Sequence, residues 1–146
     1  MNSYLITILS TLLCVASLGA FAEEIPHRVA IETAVFDYFH GQGEASSERL
    51  RRAFAADHAT MVGVVAGDDD SEQLRSWRDM NEVIDNWASN EHPPGGTRDG
   101  EILSLEIVDD RIATVLFRST DRFYDALILA NVSGQWKIIA KAFVYQ

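Results

Sequence analysis

The last third of the chain, Asp99 to Gln146, constrains the fold more than any other segment, because four strand-like runs follow one another with only short breaks. The runs are Glu101 to Val108, Ile112 to Thr120, Arg122 to Val132 and Gln135 to Tyr145, separated by Asp109-Asp110 and by the Ser133-Gly134 turn. Several are apolar on both faces. In the last, Trp136, Ile138, Ala140 and Val144 alternate against Ile139, Phe143 and Tyr145. One face of such a meander can cover helices, whereas the other needs a lid. A second copy of the chain is the expected lid, so a homodimer through the outer sheet face is anticipated.

Ahead of the meander the apolar period changes. Val29, Ala30, Ala34, Val35, Tyr38 and Phe39 recur at three- and four-residue spacing, which predicts a helix closing near Gly41 and Gly43. Ser46 or Ser47 can cap a second, short helix through Phe54, with Asp57-His58 marking its exit. Thr60 to Val65 and Gln73 to Trp77 flank Gly67-Asp68-Asp69-Asp70-Ser71 and read as a hairpin. Asp79 can cap a third helix, Met80 to Ser89, before Pro93-Pro94-Gly95-Gly96 breaks the chain. The result is an α+β domain in which a curved, mainly antiparallel sheet wraps over helices and encloses an apolar pocket.

Met1 to Gly19 holds no Lys, Arg, Asp or Glu, carries the apolar run Tyr4 to Leu18 and leads into Ala20-Phe21-Ala22. This is the pattern of a secretory signal peptide, residues 1–22, cut between Ala22 and Glu23. The run is too short, and too interrupted by Thr7, Ser10, Thr11 and Ser17, for a membrane anchor. The expected destination is secreted or periplasmic. Cys14 would leave with the signal, so the mature chain, residues 23–146, should lack thiols and disulfides. All 22 acidic and 12 basic residues lie beyond Ala22 and give a formal net charge of -10. Such a surface repels nucleic acid and anionic lipid, which leaves small molecules and proteins as partners.

Five short motifs occur in order: Asp37-Tyr38-Phe39, Ala53-Phe54 through His58-Ala59, Trp77, Arg98-Asp99-Gly100, and Trp136-Lys137-Ile138 through Lys141-Ala142-Phe143. Together with the order helix, helix, hairpin, helix and meander, they resemble the putative lumazine-binding family of the nuclear transport factor two-like (NTF2-like, or SnoaL-like) superfamily. One departure is Phe123-Tyr124-Asp125-Ala126-Leu127, which keeps the family's strand aspartate but moves its aromatic residue. The resemblance implies the cone-shaped fold, three helices packed on the curved sheet. It further implies a domain that binds a small apolar or heteroaromatic molecule, without a cofactor and without a defined catalytic activity. The alternative is a cofactor-free isomerase, cyclase or hydrolase with a pocket aspartate as general base.

Asp125 is the first candidate. Period-two alternation puts its carboxylate on the face of Phe123, Leu127 and Leu129, where desolvation would suit it to proton transfer. Asp121 shares that parity, and the resemblance supplies Tyr38 from the first helix as a partner. Equally, Asp125 can be a structural acid paired with Arg98, Arg118 or Lys141, since an unpaired buried charge is costly. His58 can act as a base or orienting donor near neutral pH, or merely bond to a turn. Tyr38, His58, Trp77, Asp121, Phe123, Asp125 and Lys141 form the expected ligand-binding set, with Asp125, His58 and Tyr38 as the catalytic subset if the chain is an enzyme. His27, His40 and His92 have no metal-ligand spacing, and Asp68-Asp69-Asp70-Ser71-Glu72 lacks the glycine and distal glutamate of a helix-loop-helix calcium site, so no metal is expected.

Overall fold

The computed structural model describes residues 13–146 except 70, 94–97 and 121, with side chains described from residue 26 onward. The expected signal segment, its cleavage point after Ala22, and Asp121 fall on the residues left out or described by backbone alone. Elements run in the order α1 (Leu13–Gly43), α2 (Ser47–Ala53), β1 (Thr60–Ala66), β2 (Glu72–Trp77), α3 (Met80–Ala88), β3 (Gly100–Val108), β4 (Ile112–Ser119), β5 (Phe123–Val132) and β6 (Gln135–Tyr145). No helix among the described residues is long and apolar enough to cross a membrane.

The caps follow the chemistry of the sequence. The Ser46 hydroxyl accepts the Arg49 amide at 3.4 Å and opens α2, and the Asp79 carboxylate accepts the Glu82 amide at 3.2 Å and opens α3. The first helix closes at Gly43, as the spacing predicts. The helix runs through Gly41, and the chain turns at Ala45, whose φ is 52°. A Cβ on Gly41 would sit 3.0 Å from the side chains of Arg49 and Leu50, so this glycine serves the close approach of α2 rather than the turn.

The six strands form one mixed sheet in the order β2-β1-β6-β5-β4-β3, antiparallel throughout except for β1 beside β6. The second and third helices are separated by the β1-β2 hairpin, so only two of the three helices precede the sheet in sequence. On β4 and β5 the burial alternates strictly, with Ala113, Val115, Phe117, Phe123, Asp125, Leu127 and Leu129 turned inward. Against this face lie Ile31, Val35, Tyr38 and Phe39 of α1 and Leu50 of α2, with Phe54 just beyond it.

β6 departs from simple alternation. Ile128 pairs with Ala140 but Leu129 pairs with Ile138, which leaves Ile139 without a partner on β5. This bulge exchanges the faces of the strand halfway along. Trp136 and Ile138 face inward before it, and Lys141 pairs with inward-facing Leu127 after it. The reading from strict alternation, which grouped Ala140 and Val144 with Trp136, is thereby corrected. A second register shift lies between Ile102 and Ser104 on β3. Bulges of this kind bend the strands that carry them and so contribute to the curvature of the sheet.

Candidate functional site

Three chain segments meet where α1 crosses β5 and β6. Asp125, fully buried, accepts the Tyr38 hydroxyl on Oδ2 at 2.9 Å and the Lys141 ammonium on Oδ1. Lys141 is itself only 4 % exposed. Its Nζ lies 4.4 Å from the Phe143 ring centre, 5.2 Å from that of Phe123 and 5.3 Å from that of Tyr38, an aromatic enclosure suited to a cation. Of the acid's expected partners, Lys141 is therefore the one found. Arg118 instead bonds Glu101 at 2.5 Å, and Arg98 donates to the Phe39 carbonyl at 3.0 Å, tying down the end of α1.

Burial sets the proton affinities. It pushes the Asp125 carboxyl up, against the opposing pull of the Lys141 charge and the hydrogen bonds from Lys141 and Tyr38. It pushes the Lys141 ammonium down, against the charge of Asp125. The Tyr38 phenol is held well above its ordinary range, first by burial and then by the adjacent carboxylate, so it stays protonated and donates.

Above this triad opens a cavity of about 660 Å³, within the size range of small-molecule sites. Tyr38 and Lys141 form part of its wall, together with Trp77, Trp87, Phe123, Phe143, Tyr145, Met61 and Val83. Asp125 is not part of the lining: its carboxylate lies behind Tyr38 and Lys141, with a donor on each oxygen. The expectation of a pocket carboxylate is corrected in this respect, since the inward parity holds but a bound molecule would meet the ammonium and the phenol. Phe143 can lie flat against β1 because its neighbour there is Gly63, where an added Cβ would fall 2.2 Å from the ring. Trp77 stacks obliquely on Phe143 at 5.7 Å.

Of the expected set, Tyr38, Trp77, Phe123 and Lys141 line the cavity, and Asp125 supports it from behind. His58 does not join them. It is exposed on the turn after α2, its amide donating to the Ala55 carbonyl at 2.9 Å, which is the turn role rather than the pocket role. Residues that the sequence reading passed over are Trp87, Phe143 and Tyr145, which it assigned to core or to alternation, and the arginines Arg75, Arg78 and Arg122, which come from separate segments. Among the described residues no three His, Cys, Asp or Glu side chains group to hold a metal ion.

Residues 26–144 match the family described as putative lumazine-binding. The chain belongs to that family. Among solved structures, it is similar to an NTF2-like protein of unknown function from Shewanella baltica OS155, with 25 % identity over 84 % of this chain and 95 % of that one and a TM-score of 0.70. An NTF2-like protein of unknown function from Methylobacillus flagellatus KT shares 24 % identity over 80 % and 90 % of the two chains, TM-score 0.62. A ketosteroid isomerase-like protein from Erwinia carotovora atroseptica SCRI1043 shares the fold at 14 % identity, over 80 % and 94 %, TM-score 0.60. None of the curated proteins matches the chain. The lumazine-binding-family fold is thus an NTF2-like, cystatin-like α+β arrangement of three helices and a curved mixed sheet.

The buried pair generates a stability prediction. Lys141→Met leaves the Asp125 charge without its counterion and should lower unfolding free energy by about 3–5 kcal/mol. Asp125→Asn in the same chain removes that charge while keeping an acceptor for Tyr38, and should recover most of the loss. Urea midpoints of the two variants check this, and a single variant within about 1 kcal/mol of the parent would rule out a paired, buried charge there.

Proposed function

We propose that this chain is an exported domain that binds a small apolar or heteroaromatic molecule in the cavity over Tyr38 and Lys141, without a cofactor and without chemistry on the ligand. The supporting observation is the combination of rings and one polar end. Trp77, Trp87, Phe123 and Phe143 offer flat apolar surface to the same space in which Lys141 offers N–H donors and Tyr38 a phenolic oxygen. A planar molecule that offers a carbonyl or ring nitrogen to Lys141 and an N–H or O–H to the Tyr38 oxygen satisfies rings and polar end alike. The family's description points the same way.

The enzymatic alternative, a cofactor-free isomerase, cyclase or hydrolase, has Asp125 as the group that takes the proton. Its support is the buried, coupled triad and the isomerase-like name of one structural relative. Against it, both Asp125 oxygens carry donors and the residue has no exposed surface. Catalysis by contact would fall instead to Lys141 or Tyr38, whose proton affinities Asp125 adjusts.

Export rests on the apolar, uncharged amino terminus and Ala20-Phe21-Ala22. A homodimer rests on the outer sheet face, where Leu116, Tyr124, Ile128 and Val144 stand exposed on the neighbouring strands β4, β5 and β6, and Leu74 on the edge strand β2.

Each part has its measurement. Titration with lumazine or riboflavin should quench emission from Trp77 and Trp87 to saturation, with the ligand recovered unchanged in mass. Conversion of the ligand would transfer the site to the enzymatic reading, and absence of any saturable quenching with heteroaromatic ligands would remove the binding one. Protein recovered from an exporting host should have Glu23 as its first residue by mass; retention of residues 1–22 contradicts cleavage. Sedimentation at low concentration should give a dimer that Ile128→Lys converts to monomer, and a monomeric parent chain ends that proposal.

A further inference from the structure

The wall of the cavity gathers cations in a strongly acidic chain. Arg75, Arg78, Arg122 and Lys141 all line it, out of 12 basic residues in a chain of net charge -10. Four arginines elsewhere are matched with acids: Arg49 with Glu44, Arg51 with Asp85, Arg52 with Asp37 and Glu48, Arg118 with Glu101. Lys141 is matched too, by Asp125. Arg75, Arg78 and Arg122 have no ion-pair partner among the described residues, although Asp79 and Glu82 share the same lining. The Asp79 carboxylate is turned to the Glu82 amide at the cap of α3, and the four cations outnumber Asp79, Glu82 and the Asp125 behind Lys141, so the wall keeps a surplus of positive charge.

The position of these cations matches the aromatic walls. The Arg75 guanidinium lies 5.0 Å from the centre of the Trp77 ring, and that of Arg122 lies 5.6 Å from that of Phe123. Both thus border the space into which a flat ligand would slide. The three arginines are exposed, which puts them at the rim, whereas Lys141 and Tyr38 close the inner end. Guanidinium groups are forked donors that match the planar or tetrahedral geometry of an oxyanion.

We propose that the cavity takes a flat aromatic molecule carrying an oxyanion, a carboxylate or a phosphate, which Arg75, Arg78 and Arg122 receive at the rim while its rings lie among Trp77, Phe123 and Phe143. This rests on the small-molecule-binding reading and narrows it to anionic aromatics. It also explains why a chain whose surface repels anions keeps unmatched cations at this mouth: they reverse the local field and admit a ligand that the rest of the surface would turn away.

The test uses the full chain and two matched pairs of probes, naphthoate against its methyl ester and naphthyl phosphate against naphthol, with affinity read from tryptophan quenching at low salt. The anion of at least one pair should bind about tenfold or more tightly than its uncharged partner, and added salt should shrink the difference. The pair with the larger difference tells carboxylate from phosphate. Replacing the three arginines together (Arg75→Gln, Arg78→Gln, Arg122→Gln) should abolish the preference while leaving the uncharged probes bound, and the single replacements should each reduce it. Arg111→Gln, the same charge change on an arginine outside the cavity, should leave it intact. Equal binding of anion and neutral partner, or a preference that survives the triple replacement, overturns the anion assignment and leaves the binding reading standing. Failure of all four probes to bind overturns both.

Discussion

A charge buried beneath a helix dictates much of this architecture. Taking the Asp125 carboxylate and the Lys141 ammonium out of water is costly for each alone, so the fold must keep them in contact and must bring a further donor to the remaining oxygen. Tyr38 is that donor, 87 positions away in sequence, on the helix that crosses the two strands. The seating of α1 is thus tied to the register of β5 against β6, because a shift of either would strand a charge. The same atoms form the inner end of the cavity, so what holds the helix on the sheet also defines what a ligand meets.

That register depends on a single unpaired residue. Without the bulge at Ile139, strict alternation from Trp136 would turn Lys141 to the outer face, together with Phe143 and Tyr145. The bulge explains what was and was not legible in the sequence. The helices, their serine and aspartate caps, the hairpin and all four strands of the meander follow from periodicity and turn chemistry, and Asp125 could be placed inward because β5 alternates without interruption. The second half of β6 could not, since period-two patterning contains no mark for a slipped pair, and a strand apolar on both faces hides the change of parity. His58 misled for a different reason. A histidine at a helix exit carries the same sequence signal whether the turn points to the sheet or to solvent, and here the buried neighbour is Ala59.

The cavity cations were beyond the reach of local pattern altogether. Arg75 is on the edge strand of the hairpin, Arg78 precedes the cap of α3 and Arg122 precedes β5. They come together only because β2 and β5 lie on the same curved sheet and α3 folds back beside them. In sequence each reads as an ordinary exposed arginine. Their meaning comes from concentration: Arg49, Arg51, Arg52 and Arg118 are paired with acids, whereas these three line one cavity without an acid partner among the described residues.

The motifs that carry the family resemblance turn out to be mainly scaffold. Asp37 receives a two-point bond from Arg52 that fixes α1 to α2, and Lys137 donates to the last carbonyls of α2, at 2.6 Å to Arg52. Trp136 donates to His27 at 3.1 Å and anchors the middle of α1. Arg98 binds the end of that helix, while Gly100 leaves room for the Phe117 ring, which an added Cβ would approach to 2.3 Å. Tyr38, Trp77, Lys141 and Phe143 are the motif positions that reach the cavity, and they define its polar end and one wall. Arg75, Arg78, Arg122 and Tyr145 lie outside the motifs. The motifs therefore specify how the sheet, the helices and the buried triad are assembled, while the charge at the mouth is set by residues between those motifs. A shared fold with different ligands is the expected consequence of that division, because the rim can be rewritten without disturbing the pair on which the helix is seated.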